Sequence, residues 1–529
     1  MPIAYFPLKL YFCSIKNITI MKRLYLIITA LFALASYAQE PLTKIVDKTG
    51  VAAYDYCTFL KGMGDEYYVC TDYTMLNSFT RVAQDIITCV SKNGTKGRKI
   101  VVERSMDLNL IAIYEGESQI HCLYNMYDNS TKSYVLYLNS VSKKATTSTW
   151  NPKKIISFKL ERREDVLMGS AVSPDQTKAS IVIFQVNKAG FFQSDQTDKL
   201  KGSGVMAFGD EGLLWTKPLE LDFPNSTINI FDISVHNNSN TYVAISSYNT
   251  SKSSDKTKEN ETLHLFEVSA EETRMAEIQP DFGSLLNGKL LLCSSGDIAI
   301  GGYYQKNIKQ KASGAYIATF DGKTMENGSF STQSFPQTYY EYKHSKFSKK
   351  GEDFDAVAVD FKEFSNGTKV LLGEARVEVQ SYPYTYTLFG NTLISFADKN
   401  NQLDEFQMIY KNQSIINSNK STKYYQSVLL CFNTIMHNDQ LYLFFNDNLS
   451  NHTGKSGQLF DVANTNYKKK CGLYCTLDGD RHVSDPVMFM NYQNYKTVIY
   501  RPLVIDKGGL LIYNSSGMYG AVSKLKRQF

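Results

Sequence analysis

One pattern constrains this chain more than any other. An apolar run, a tight polar turn and a second apolar run recur eight times along it. The first copy is 51–59, the turn Gly62-Met63-Gly64-Asp65, then 67–73. Later copies turn at Gly116-Glu117-Ser118, Ser173-Pro174-Asp175-Gln176, His236-Asn237-Asn238-Ser239 and Ser295-Gly296-Asp297. The last three turn at Ser365-Asn366-Gly367, His437-Asn438-Asp439 and Lys507-Gly508-Gly509. Gly, Asn, Asp and Ser reach left-handed or side-chain-bonded turn conformations cheaply. The flanking runs are rich in Val, Ile, Tyr and Phe, which suits strands. Second strands begin near 67, 120, 179, 241, 298, 370, 441 and 510, a spacing of about 53 to about 72 residues.

Most copies carry a second hairpin, for instance 315–320 before Asp321-Gly322-Lys323 and 472–476 before Asp478-Gly479-Asp480. Four antiparallel strands per repeat, each unit needing a neighbour to bury its faces, define the blade of a β-propeller. The expectation is an all-β fold: one propeller over 39–529 with eight blades, seven being the alternative count. The eighth copy runs out of chain after a third strand near 518–525, while Lys44-Ile45-Val46-Asp47 precedes the first blade without a place in it. That N-terminal piece is expected to supply the missing outer strand and close the ring, protecting an open edge. Pro502 falls in an innermost strand, where a missing N–H is tolerable. The one short helix expected is 270–278. Ser173-Pro174-Asp175-Gln176-Thr177-Lys178 resembles the S-P-D-G-K turn of Tol-system-like and WD40-like blades, with Gln176 where those have Gly. The resemblance is to secreted bacterial β-propellers at the level of fold, and it implies a scaffold, a glycan binder or an enzyme without choosing among them.

The start of the chain is an address. Met21-Lys22-Arg23, an apolar run over 24–35 and Ser36-Tyr37-Ala38 form a secretory signal peptide, with cleavage expected between Ala38 and Gln39. Residues 1–20 are then an extension upstream of the true start at Met21. The apolar run is too short to span a bilayer, and no spanning run follows. The formal charge of +5 falls to about +1 once Lys9, Lys16, Lys22 and Arg23 are removed. That supplies no field for nucleic-acid binding. The protein is expected to be periplasmic, surface-associated or secreted. Cys70, Cys122, Cys293 and Cys431 sit singly in apolar runs and read as buried thiols. Cys471 and Cys475, if on one strand, lie about 13 Å apart, beyond disulfide reach.

In a meander the A–B and C–D turns share one face, and the B–C and D–A connections the other. The A–B turns are short. The B–C connections are expected to be long, at 74–84, 187–204, 249–261, 305–314, 376–390 and 447–470, which marks their face as the binding face. Its aromatic candidates are Phe191, Phe192, Tyr382, Tyr384, Tyr386 and Tyr467. The alternating tyrosines fit either a stacking platform or a strand face packed on its neighbour, and packing is the more ordinary use.

Catalytic signatures are poor. The segment 283–290 approaches a P-loop, but Leu290 replaces the magnesium-holding hydroxyl and an apolar strand follows. Asp478-Gly479-Asp480 with Asp485 lacks EF-hand spacing and reads as a turn. No G-x-S-x-G elbow or H-E-x-x-H pair occurs, and the 7 His residues are scattered. No catalytic residue, metal ligand or cofactor is assigned. The expectation is a non-enzymatic binding or scaffold propeller of the bacterial cell envelope, engaging a protein partner through its B–C face. The alternative is a glycan-binding or glycan-cleaving propeller. An outer-membrane barrel fits less well, because alternation over about ten residues per strand is missing.

Overall fold

The computed structural model describes residues 41–47, 57–61, 66–76, 81–91, 96–105, 107–148, 150–161, 164–187, 199–221, 227–250, 258–306, 311–341, 343–344, 349–350, 354–381, 384–417, 432–452, 460–461, 469–491, 498–506, 509–515 and 520–525. They form eight four-stranded antiparallel blades, each lettered A to D from the inside outward. Blade one is Cys57–Lys61, Glu66–Leu76, Arg81–Ser91 and Lys96–Arg104. Blade two is Asn109–Glu115, Gln119–Asp128, Ser133–Ser142 and Lys153–Lys159. Blade three is Glu164–Val172, Ala179–Asn187, Lys199–Gly209 and Gly212–Pro218. Blade four is Thr227–Val235, Thr241–Thr250, Lys258–Val268 and Thr273–Ile278. Blade five is Ser284–Leu292, Ile298–Gln305, Gly314–Phe320 and Asn327–Ser334. Blade six is Asp355–Glu363, Lys369–Ser381, Tyr384–Ala397 and Leu403–Ile409. Blade seven is Asn433–His437, Gln440–Asn448, Lys470–Asp478 and Val487–Asn491. Blade eight takes Val498–Asp506, Gly509–Ser515 and Gly520–Leu525 from the C-terminal end, and its D strand is Pro41–Asp47. The expected closure is present: Pro41 pairs with Leu525 and Asp47 with Gly520, antiparallel.

The turns explain the repeat. In four A–B turns the fourth residue is left-handed and donates its N–H to the carbonyl of the first. These residues are Gln176 (φ 63), Ser239 (φ 76), Gly296 (φ 92) and Gly367 (φ 84). Two C–D turns repeat the geometry at Asn401 (φ 66) and Arg481 (φ 69). The glycine missing from the Ser173 turn is therefore missing from a position that needs it. A left-handed non-glycine residue costs roughly 1–2 kcal/mol. Gln176→Gly is accordingly expected to stabilise the fold by about 1 kcal/mol, read as a higher urea midpoint; an unchanged or lower midpoint would contradict it. The Asp478 turn is turn chemistry too, since its Oδ1 accepts the N–H groups of Asp480 and His482, both at 3.0 Å.

The core lies between blades, where facing sheets interdigitate. Val182, Phe184 and Val205 of blade three meet Val243, Ile245 and Phe266 of blade four. Phe364, Val370 and Ile394 of blade six meet Leu441, Leu443 and Leu473 of blade seven. Among the described residues five inner strands carry a bulge, after Leu110, Ile230, Leu285, Ala358 and Ile499. In three of these the next paired residue is polar and reaches the following blade. Asp232 accepts from Lys289 Nζ and the N–H of Leu290, both at 2.9 Å. The Asn287 amide donates to the carbonyl of Ala356 at 2.7 Å and accepts the N–H of Ala358 at 2.9 Å. Asp360 accepts the hydroxyl of Thr434.

Two expectations need correction. The helix at 270–278 does not form, because Thr273–Ile278 pairs with Leu263–Val268 as the outer strand of blade four. Its burial has period two, with Ala276 buried between exposed Met275 and Glu277, and the open edge of the C strand outweighs local helix propensity. Among the described residues the one α-helix is Gln337–Glu341 instead, where buried Tyr339 donates to the carbonyl of Phe354 at 3.3 Å. Two of the expected long B–C connections are mostly strand: in blade one the strands end at Leu76 and resume at Arg81, and in blade six they end at Ser381 and resume at Tyr384. The P-loop-like segment runs straight into the inner strand Ser284–Leu292. Cys122, Cys293, Cys471 and Cys475 are free thiols, all four and Cys89 are buried, and Cys471 and Cys475 share one strand.

Candidate functional site

The two faces are built differently. On the A–B face the turns hydrogen-bond to one another from blade to blade. The N–H of Glu117 donates to Asp210 Oδ1 at 2.9 Å, and that of Ser294 to Glu363 Oε2 at 2.6 Å. The N–H of Ser365 donates to Asp439 Oδ1 at 2.8 Å, and Asn366 Nδ2 to the carbonyl of Gly479 at 2.8 Å. These groups are used in holding the ring together.

Beneath this face His121 contacts Ser140 Oγ through Nδ1 at 2.9 Å, and its Nε2 lies 3.5 Å from Asp210 Oδ1. The line has the outline of a nucleophilic triad. His121 and Ser140 are, however, register partners on neighbouring strands, and Tyr114 stacks on the imidazole while donating to the carbonyl of Gly209 at 3.1 Å. A Cβ at Gly116 would lie 2.5 Å from His121 Nε2, so the glycine is what lets the clasp close. Burial pushes the imidazole below its usual range, against the opposing pull of Asp210. The arrangement clasps blade two to blade three.

The B–C face is elaborated at blades six and seven. Strands B and C of blade six run past their outer strand as a hairpin, with Val379 opposite Tyr386. Its alternating Val377, Val379, Tyr386 and Leu388 favour continued pairing. Gln413–Asn417 adds to it as a further antiparallel strand, and Phe460–Asp461, from the B–C excursion of blade seven, adds in parallel. The two blades thus share one sheet on this face.

A charged network anchors its base. Glu374, at the hairpin's root, pairs with Lys411 Nζ and with Arg376 Nε at 2.7 Å. Both Glu374 and Lys411 are 0% exposed. Lys411 Nζ also sits 5.7 Å from the centre of the Phe432 ring, and the Arg376 guanidinium 5.2 Å from that of Phe389. Gln413 Nε2 donates to the carbonyl of Asn446 at 2.5 Å, tying the added strand to blade seven. Asp447 Oδ1 accepts the N–H of Asn448 at 2.7 Å and Asn451 Nδ2 at 2.8 Å, which starts the excursion of blade seven. Above this base Tyr410 is 48% exposed. Burial, with the nearby Asp447 charge, holds its phenol above the usual range.

Of the aromatic candidates, Tyr386 is half-buried and packs against the core shared by blades five and six. Tyr384 opens the C strand of blade six. Phe191, Phe192, Tyr382 and Tyr467 lie outside the described residues, as do Ala38 and Gln39. Glu374, Arg376, Lys411 and Tyr410 escaped sequence reasoning. Their partners are 37 residues apart in the case of Lys411 and Glu374, and no local pattern joins them.

Topology and register define the chain as an eight-bladed β-propeller. No family model matches the sequence, and no curated protein matches it. Among solved structures it is similar to the β-propeller domain of the trilobed protease from Pyrococcus furiosus, at 9% identity over 84% of this chain and 98% of that one, with a TM-score of 0.34. It is also similar to an ulvan lyase of a polysaccharide lyase family, PL25, at 8% identity over 69% and 81% with a TM-score of 0.36. Porphyromonas gingivalis dipeptidyl peptidase 4 is similar at 9% identity over 72% and 56%, with a TM-score of 0.32.

Proposed function

We propose that this protein is an exported, non-enzymatic binding propeller of the bacterial cell envelope, engaging a protein partner through the B–C face of blades six and seven. The observation that carries this reading is the asymmetry of the faces. One is consumed by turn-to-turn bonding, while the other carries an added sheet on a rigid buried base, the arrangement a binding surface requires. The signal-peptide-like sequence expected over 21–38 supports export. Capture from envelope extract tests it. A chain whose blade-six hairpin is shortened by removing 378–387 is expected to lose the partners retained by the parent, while Asp439→Ala on the opposite face keeps them. Retention of every partner by the shortened chain would overturn the reading. Exposed Tyr410 supports the second reading, a glycan-binding or glycan-cleaving face, because a phenol ring can stack on a sugar. Retention on a polysaccharide array, or release of reducing ends, that is lost in Tyr410→Ser would favour it.

A further inference from the structure

We propose that blade three is an acid-released segment of the ring: protonation of His121 at one of its seams and of His264 at the other opens both seams together, while blades five and six stay packed. Among the described residues these two histidines are the buried ones. They lie on the two sides of one blade. His121 projects from blade two toward Asp210 of blade three. His264 projects from blade four on the same side as Phe266, which stacks with it and packs into the core shared with Val182, Phe184 and Val205 of blade three.

The two rings have matching surroundings. His264 Nε2 lies 2.7 Å from Ser247 Oγ, and its Nδ1 3.5 Å from Glu277 Oε2. His121 repeats the arrangement with Ser140 Oγ at 2.9 Å and Asp210 Oδ1 at 3.5 Å. In both, a hydroxyl is the near partner and the carboxylate stands further off, its side chain 49% exposed for Asp210 and 58% for Glu277. A carboxylate that keeps this much water is screened, and it offsets little of the cost of burying an imidazolium. The other groups around His121 are Tyr114, stacked on the ring, and Lys143, whose charge opposes a proton there. Around His264 they are Phe266 and the apolar side chains of blade three. Both imidazoles are pushed below their ordinary value, chiefly by burial. The packed seams exclude a proton that the opened seams accept, so opening becomes more favourable as pH falls. A blade in a closed ring cannot leave one neighbour while clamped to the other, so one opening event exposes both rings and takes up two protons. A single register pair, Lys199 with Thr227, joins the sheets of blades three and four and tethers the blade when the side-chain contacts part.

Hydrogen exchange of the full chain tests the proposal, read by mass spectrometry between pH 6.5 and 4.5 and corrected for the pH dependence of intrinsic exchange. Amides of 164–172, 179–187 and 204–209 are expected to lose protection more steeply than those of blades five and six. Their loss is expected to exceed about 10-fold per pH unit, since each proton taken up on opening contributes up to about 10-fold. His121→Gln is expected to bring that slope down to about 10-fold per unit, and His121→Gln with His264→Gln to flatten it to the slope of blades five and six. Equal slopes in all blades of the parent, or a parent slope of about 10-fold or less, would overturn the proposal, and both are read without any variant. A steep slope that survives in the double variant would overturn it as well.

Discussion

Lys411→Met is expected to lower the unfolding free energy by about 3 kcal/mol, the low end of the cost of stranding one partner of a buried ion pair. The low end applies because Arg376 Nε remains 2.7 Å from Glu374. Taking a carboxylate out of water is tolerable only while its partners are in place. The second substitution, Glu374→Gln, is therefore expected to be milder in the Lys411→Met background than in the parent, and the double variant to recover part of the loss. Urea unfolding of the four proteins measures it. A loss below about 1 kcal/mol for Lys411→Met would mean that the network carries little of the extension's anchoring.

Acid should weaken the fold through His264. Its Nε2 lies 2.7 Å from Ser247 Oγ, and burial pushes the imidazole down to about 4 from an ordinary 6.5. The folded chain then holds this ring neutral until about pH 4, whereas the unfolded chain protonates it below about 6.5. Between those limits the unfolded state binds the extra proton, so stability falls as pH falls, by about 1.4 kcal/mol per unit. The loss reaches about 3 kcal/mol near pH 4 and stops growing below it. His121 is shifted in the same direction, so the readout is the difference between parent and His264→Gln. The variant is expected to show a shallower decline between pH 6.5 and 4 in urea titrations. Parallel profiles would contradict the assignment.

The blades were legible in the sequence because local rules agree there. Turn residues, β-branched runs and spacing all indicate the same meander, and the orphan strand at 44–47 found its place by counting. Where local rules are weak, the reading failed for identifiable reasons. Thr273–Ile278 contains good helix formers, yet the unpaired edge of Leu263–Val268 decides its conformation. Tyr384 and Tyr386 looked like loop aromatics because a hairpin that outgrows its blade carries no turn signal at the point where the blade ends. Tyr386 packs against the core, which is the ordinary use of such a residue. The base of the extension was invisible for a different reason. Lys411-Asn412-Gln413-Ser414 is a run of four polar residues, yet all four are buried. Only tertiary structure brings them to Glu374 and Asn446.

The polar residues that follow the inner-strand bulges give the ring a direction. Asp232 reaches forward to Lys289, Asn287 to Ala356 and Ala358, and Asp360 to Thr434. Blades four, five and six therefore each read the identity of their successor, so these repeats are not interchangeable parts. Excising blade five would leave Asp232 facing Asp360 and its neighbours instead of a lysine. Gain or loss of one of these units would therefore require compensating change at the junction.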